Sequence, residues 1–404
     1  MTPIVYDAFT RVMAGGYREA DYVGMPTLFQ RFFGRPETGG RTIYSPNANI
    51  LEIEIKRAYQ KMAALVPRNA IGKFIGDTHA DGTLGIGTTF ARKYPLIQEE
   101  LPLDSEQLLS RVIGEEGPYD NWDQTTRLRT LARLGYVELM RRILRLQEFL
   151  AGQSLLLGKQ SCRAVGTPGT DDYDWRRNSS NTAALTHGWA NALGVPLTDL
   201  DTACDQLVFA GKGDTNFIAV FGGNAMKAFL ANTQVSTNFA NKLYFELLRF
   251  SLDFTPNGFL AELVAAGAKA FGRLKTPKGY EITVLTYPAM YEAANGAATK
   301  FFNDDYAFVC SSNARCDRYF GPPQRLPITP TEQMMMMERF GMSPDTLPLP
   351  ANVPAGILNP GMYYTDSYDS PDRQHTLLRI QGGPVYPTVQ TDAFYTMTNA
   401  GSAS

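Results

Sequence analysis

Between Asn121 and Leu157 apolar positions recur at three- and four-residue spacing: Leu128, Leu131, Ala132, Gly135, Leu139, Ile143, Leu146 and Leu150. That period puts them on one face of a helix, which at 1.5 Å per residue would run for roughly 55 Å. Asp120 or Asn121 can cap its start, Asp123 suits the first turn, and Gly158 is placed to end it. A helix of this length reads as a structural spine and not as a catalytic element.

Other stretches keep a period of two. Leu51, Ile53 and Ile55 alternate with Glu52, Glu54 and Lys56, as a half-buried strand requires. From Ile71 to Leu103, Gly72, Gly76, Gly82, Gly85 and Gly87 interrupt strand-like residues such as Phe74, Phe90 and Tyr94. This predicts a long two-stranded excursion with its tip at residues 77–87. Such a hairpin is marginal alone and leaves unpaired edges, so it argues for a partner that covers it.

Downstream, residues 182–192 and 196–206 read as helical or turn segments, the apolar run 217–221 as a strand, 225–230 and 241–252 as helices, and 282–287 as a strand. Between Gly321 and Pro360 prolines accumulate around the run Met334 to Met337, which predicts an irregular connector with one short helix. Residues 377–381 and 385–395 return to strand-like composition. The first forty residues mix short apolar pieces with Gly and Pro, as an arm lying on other structure would. Together these elements predict a mixed α+β protein.

At 404 residues the chain exceeds the roughly 100 to 200 residues of one domain, so two packed lobes with extended arms are expected. A hydrophobic share of 44% and a charged share of 19% describe a globular protein. The net charge of −2 supplies no long-range field for a polyanion. Cys162, Cys204, Cys310 and Cys316 form no C-x-x-C pair and read as reduced, mostly buried thiols. No apolar run approaches the roughly 18 to 20 residues that span a bilayer, and no signal-type segment opens the chain, so the protein is expected to be made in the cytoplasm without a membrane partner.

Charge is nonetheless arranged in blocks. Glu99, Glu100, Asp104, Glu106, Glu115, Glu116 and Asp120 face only Arg111, whereas the next stretch carries Arg127, Arg129, Arg133, Arg141, Arg142 and Arg145. Such blocks suit contacts between neighbouring copies, although a basic helix could also hold nucleic acid.

Candidate chemistry is sparse. His79, His187 and His375 are far apart and match no metal or triad motif. Gly82-Thr83-Leu84-Gly85-Ile86-Gly87 lacks the Lys and Ser/Thr of a phosphate loop and suits a hairpin tip. Gly222-Gly223-Asn224 does lie between a strand and a helix, where amides bind anions, but without the rest of a dinucleotide fingerprint. Asp171, Asp172 and Asp174 read either as a divalent-ion cluster or as a solvated turn, and Met334 to Met337 either as a copper ligand set or as adaptable packing. No catalytic, cofactor or metal residue is assigned.

The order of elements resembles the major capsid proteins of tailed phages, with the closer likeness to the lambda-type family called capsid protein E. The resemblance is carried by Leu28-Phe29-Gln30-Arg31-Phe32-Phe33, Glu99-Glu100-Leu101-Pro102 and Leu155-Leu156-Leu157-Gly158-Lys159. It continues through Trp189, Pro196 and Asp199-Leu200, then Phe221-Gly222-Gly223-Asn224-Ala225-Met226-Lys227-Ala228-Phe229-Leu230. Asn303-Asp304-Asp305, Gly321-Pro322 and Ser370-Pro371-Asp372 complete it.

The resemblance implies the Hong Kong 97-like capsid fold, with an N-terminal arm at 1–45 and a strand with an extended hairpin loop at 46–103. A peripheral domain with the spine would follow at 104–182, an axial domain at 183–365, and C-terminal strands returning to the peripheral domain at 366–404. It implies a virion protein, not an enzyme, that forms pentamers and hexamers of an icosahedral head around double-stranded DNA. A separate scaffolding protein, a portal and a decoration protein are the further partners it suggests. Asp77, Asp81, Glu99, Glu100, Glu115, Glu116 and the six spine arginines are then the expected contacts between subunits. The alternatives are a nanocompartment shell of the same fold, and a metal- or nucleotide-dependent enzyme using the 171–174 acids or the Gly222-Gly223 turn.

Overall fold

The computed structural model describes residues 25–44, 50–55, 88–104, 124–162, 172–210, 216–240, 245–247, 258–293, 295–321, 364–369 and 375–402. The arm enters through a 3-10 turn at Phe29–Phe32. Strands β1 (Thr42–Tyr44), β2 (Ile50–Ile55), β3 (Thr88–Lys93) and β4 (Ile97–Asp104) precede helix α1 (Gln124–Leu157). Short strands β5 (Lys159–Gln160), β6 (Tyr173–Asp174) and β7 (Thr182–Ala184) lead to helix α2 (Pro196–Ala210) and strand β8 (Asn216–Phe221).

Helices α3 (Gly223–Ala231) and α4 (Thr233–Ala240), strand β9 (Phe245–Leu247) and helix α5 (Phe259–Ala265) follow. Then come β10 (Lys269–Lys275), β11 (Glu281–Thr286), β12 (Met290–Glu292), β13 (Ala298–Lys300), β14 (Ala307–Ser311) and β15 (Arg318–Gly321). Strands β16 (Tyr364–Asp369), β17 (His375–Val385) and β18 (Phe394–Thr398) close the chain.

A seven-stranded mixed sheet runs β7-β18-β14-β8-β11-β10-β9. Its central strands are apolar without alternation because both faces are covered. Phe217, Ala219, Phe221, Val284, Val309 and Met397 point into a cluster with α2 and α3. Ile218, Val220, Leu285, Phe308, Cys310 and Phe394 join the cluster that contains the spine and the arm. The sheet is therefore a middle layer, and the strand predicted at 217–221 is its central member, β8.

Strand β17 organises the second sheet. It pairs with β4 over Ile97↔Gly382 to Asp104↔His375, with β16 over Tyr364↔Gln381 to Asp369↔Thr376, and with β15 at its far end. Its buried Leu378 and Ile380 belong to the same cluster as Ala132, Tyr136 and Leu139 of α1. The 34 residues of α1 extend for about 51 Å. Its buried set is wider than the predicted single face, because it takes in Met140, Leu144, Ala151 and Leu155 where the arm and the seven-stranded sheet also press on the helix.

Strands β2 and β3 pair antiparallel, Ile50↔Lys93 to Ile55↔Thr88. Leu51 and Ile53 are buried against Tyr173, Trp175 and Val385, as the alternation required. Residues 56–87, with the predicted tip at 77–87, lie outside the described residues. The expected helix at 241–252 is corrected in its described part: Phe245–Leu247 is a strand on the sheet edge, paired with Gly272, Arg273 and Leu274. The helical or turn reading of 182–192 is likewise corrected at Thr182–Ala184, which pairs in parallel with β18. In both places pairing to a ready sheet edge overrides local propensity. The final strand β18 thus belongs to the seven-stranded sheet, whereas β17 belongs to the other.

Candidate functional site

Among the described residues no group of three His, Cys, Asp or Glu could hold a metal. Asp174 lies 3.4 Å from Lys159 and accepts the Arg176 N–H at 2.8 Å, while Asp171 falls outside the described residues. His187 is exposed and the described cysteines are free thiols, Cys162 half-buried and the others buried. His79 and Met334 to Met337 lie outside the described residues. No described helix is long and apolar enough to cross a membrane.

The Gly222-Gly223-Asn224 turn does bind an anion, and it is the chain's own. The Gly223 N–H donates to Asp304 Oδ1 at 3.1 Å and the Ala225 N–H to the Asp304 carbonyl at 2.9 Å. Lys300 Nζ lies 2.6 Å from both carboxylate oxygens of Asp304, and the Asn224 amide donates to Asp305 at 2.9 Å. A Cβ on Gly222 would stand 2.3 Å from the Asn303 and Asp304 carbonyl oxygens, so only glycine admits this approach. Two motifs noted separately in the sequence are one helix-capping unit.

The arm is held on the spine by a buried acid. Glu148 accepts the Phe29 N–H at 2.7 Å, the Gln30 N–H at 3.2 Å and the Tyr287 hydroxyl at 2.8 Å. Gln30 Nε2 donates to the Leu144 carbonyl at 2.9 Å, and Phe29 packs edge-on to Tyr287 and over Gly152. Burial raises the Glu148 carboxyl to about 7, with the Phe29, Tyr287 and Gln30 hydrogen bonds opposing the rise.

The spine ends at a second buried charge. Gly158, at φ 66°, makes the left-handed cap, and its N–H donates to the Ser154 carbonyl at 3.2 Å. Arg177 donates to the Leu155 carbonyl and, at 2.7 Å, to that of Leu156, which also receives the Thr396 hydroxyl at 2.7 Å. The last carbonyls of the helix are thereby satisfied inside the protein, and the helix end is tied to β18. Burial lowers Arg177 to about 10, partly offset by Asp392.

Of the sequence-predicted contact residues, Asp77, Asp81, Glu115 and Glu116 lie outside the described residues, and Arg129 lies in α1 without a described side chain. Glu99 is 3.9 Å from Arg142, Glu100 is 3.9 Å from Arg379, and Arg142 and Arg145 reach Glu138 at 3.4 and 3.8 Å. The structure therefore brings part of the acidic stretch onto the basic helix within one chain. Arg133 is exposed, and Arg127 and Arg141 are half-buried.

Sequence reasoning did not single out the apolar surface. Leu193 and Phe209 are each 66% exposed, and Leu157 and Met290 are about half exposed. The Leu193 turn is fixed from behind: buried Asn232 donates to the Trp189 and Gly194 carbonyls at 3.0 Å each, and Trp189 Nε1 donates to Asp199 at 2.9 Å. Burial raises the Asp199 carboxyl, against the Trp189 hydrogen bond.

A two-faced mixed sheet, a long spine crossing a second sheet and an arm latched to that spine are together the Hong Kong 97-like capsid fold. The crystal structure assigned to the capsid protein of a prophage in Escherichia coli CFT073 matches at TM-score 0.59 and 14% identity, over 98% of each chain. A phage-related protein from Bordetella bronchiseptica RB50 gives 0.43 and 12%, over 100% of this chain and 98% of that one. The capsid of cyanophage Pam1 gives 0.43 and 11%, over 94% of each. No curated protein sequence matches the chain.

The model of the phage major capsid protein E family matches residues 37–353, and the chain belongs to that family. It is a structural protein of the virion, and the family match favours a phage head over a cellular nanocompartment.

Proposed function

We propose that this chain assembles through pentamers and hexamers into the icosahedral head of a tailed phage and encloses its double-stranded DNA. Its membership of the capsid family over residues 37–353 carries the reading. Cyclic capsomers repeat one heterologous contact, so surfaces of opposite character on one subunit meet on the next. Fixed apolar side chains such as Leu193 suit such a contact. A net charge of −2 suits a container that holds DNA without gripping it.

In this reading residues 1–45 are the arm, 46–103 the extended loop, 104–182 the peripheral domain and 183–365 the axial domain, with β18 counted with the axial sheet. The loop of one subunit lies across the next and hides its own edges. Asp77, Asp81, Glu115 and Glu116 then add to the spine arginines at the contact, and scaffolding, portal and decoration proteins are separate chains.

Electron microscopy of the protein expressed alone, and with the phage genes beside it, tests this. Closed shells, tubes or capsomer rings are expected, and a discrete monomer or dimer under both conditions overturns it. Deleting Asp77 to Gly87 leaves a folded subunit that closes no shells. Normal particles from that deletion reject the interlocking role.

A further inference from the structure

At the base of the arm a cavity of about 180 Å³ is lined by Arg31, Arg35 and Arg318, with Glu37 and Glu262 beside them. Among the described residues, each of the three arginines has its Nε buried without a hydrogen-bond partner. Arg31 has no side-chain partner among the described residues. Among the described residues Arg318 reaches only the Phe33 carbonyl, through Nη2 at 3.5 Å, the outer limit of a hydrogen bond.

Arg35 donates Nη1 to the Ser312 carbonyl at 3.2 Å and stacks its guanidinium 3.4 Å from the Phe259 ring centroid. Its Nε lies 3.5 Å from Glu37 Oε2, an ion-pair distance whose direction leaves the N–H unbonded. The Glu37 side chain is 70% exposed and remains largely in water.

A guanidinium offers parallel N–H donors that match the oxygens of a carboxylate or phosphate, and buried donors left unmatched are costly. Three such groups face one small space; Arg177 and Arg379 also keep an unbonded buried Nε, but Arg177 spends its terminal nitrogens on helix carbonyls and Arg379 lies 3.9 Å from Glu100. Three positive and two negative side chains leave one net positive charge, which suits a single anionic group and not a polyanion.

We propose that this arm-base cavity is a binding site for one oxyanion group, held by Arg31, Arg35 and Arg318. That chemistry has two sources: a free ion such as inorganic phosphate, or a carboxylate side chain of a second copy of this chain. The site sits where the arm meets α5 and β15, so occupancy would hold residues 31–37 of the arm against these two elements.

Calorimetric titration of inorganic phosphate into unassembled full-length subunits, at constant ionic strength in chloride, tests the site without depending on shell formation. Saturable one-site binding is expected, weakened at least tenfold in both Arg31→Gln and Arg318→Gln, with acetate competing. Each variant is first checked for a wild-type circular-dichroism melt. Heats equal to the chloride control, or equal affinity in wild type and both folded variants, overturn the proposal. Repeating the titration on assembled shells separates the sources: retained phosphate binding assigns a free ion, and binding lost on assembly assigns a neighbour's carboxylate.

Discussion

The backbone N–H of Phe29 donates to the Glu148 carboxylate over 2.7 Å, across 119 positions of sequence. The Gln30 N–H and the Tyr287 hydroxyl converge on the same group at 3.2 and 2.8 Å. One acid thus joins the arm, the spine and the end of β11. Replacing it with alanine leaves three buried donors unmatched at about 1–3 kcal/mol each, less the relief of burying a charge. Glu148→Ala should therefore lose about 3 kcal/mol and free the arm. Faster hydrogen exchange in a peptide covering residues 25–33 checks the second effect, and unchanged exchange there rejects the latch.

The same group makes stability depend on pH. Its folded value of about 7 lies above the ordinary 4.5, so the folded state holds the proton more tightly than the unfolded chain. The contribution is fully present below about 4.5 and is lost as pH rises through about 7, for a total of roughly 3 kcal/mol. Urea midpoints from pH 5 to 8 should show wild type losing stability relative to Glu148→Gln, whose amide does not titrate. A pH-independent difference between the two proteins contradicts this assignment.

Arg177 closes the far end of the spine with donors to Leu155 and Leu156. Alanine strips the Leu155 carbonyl of that side-chain donor in a buried setting, and should cost about 3 kcal/mol. Lysine has one compact ammonium in place of a planar fork, and should recover only part of the loss. Scanning calorimetry of the two variants gives the order. Arginine and lysine of equal stability would mean that charge alone, and not the fork, caps the helix.

The spine was legible because its period is long and regular, and the core strands were legible because both faces of the seven-stranded sheet are buried. Gly158 was legible as a helix end for a chemical reason, the left-handed conformation. Less was visible where a partner decides the outcome. Residues 245–247 and 182–184 are strands because sheet edges receive them. Glu148 reads as one more charge in a helix until Leu144, Ala151 and Leu155 are seen to share its buried stripe. The link between Gly222-Gly223 and Asp304 spans 81 positions, and no local pattern announces it. Glu99 and Arg142 were expected to face other copies, yet pairing within one chain is also available to them.

Glycine substitutions separate structure from ligand binding at that turn. A Cβ on Gly222 meets two backbone oxygens at 2.3 Å, and backbone cannot move aside cheaply. A Cβ on Gly223 meets Asp304 Oδ1 at 2.9 Å, the end of a side chain that can turn. Gly222→Ala should abolish soluble subunits, while Gly223→Ala should cost about 1 kcal/mol, in line with ordinary overpacking, and still assemble. An enzyme using this turn would instead lose activity in Gly223→Ala with assembly intact. The soluble yield and particle count of the two variants distinguish these outcomes.

Arg142 tests whether the basic helix works within or between subunits. Its guanidinium lies 3.4 Å from Glu138 and 3.9 Å from Glu99, with about half of the side chain in water. Pairs of that kind contribute roughly 0–1 kcal/mol, so Arg142→Ala should leave the unassembled subunit within about 1 kcal/mol of wild type. A contact repeated at every interface of a closed shell multiplies a small term, and it is screened by salt. Shells of the variant should therefore dissociate at lower urea than wild type in low salt, with the gap shrinking at about 0.5 M salt, where the screening length falls to a few Å. Equal shell stability at both salt concentrations would confine Arg142 to pairing within its own chain.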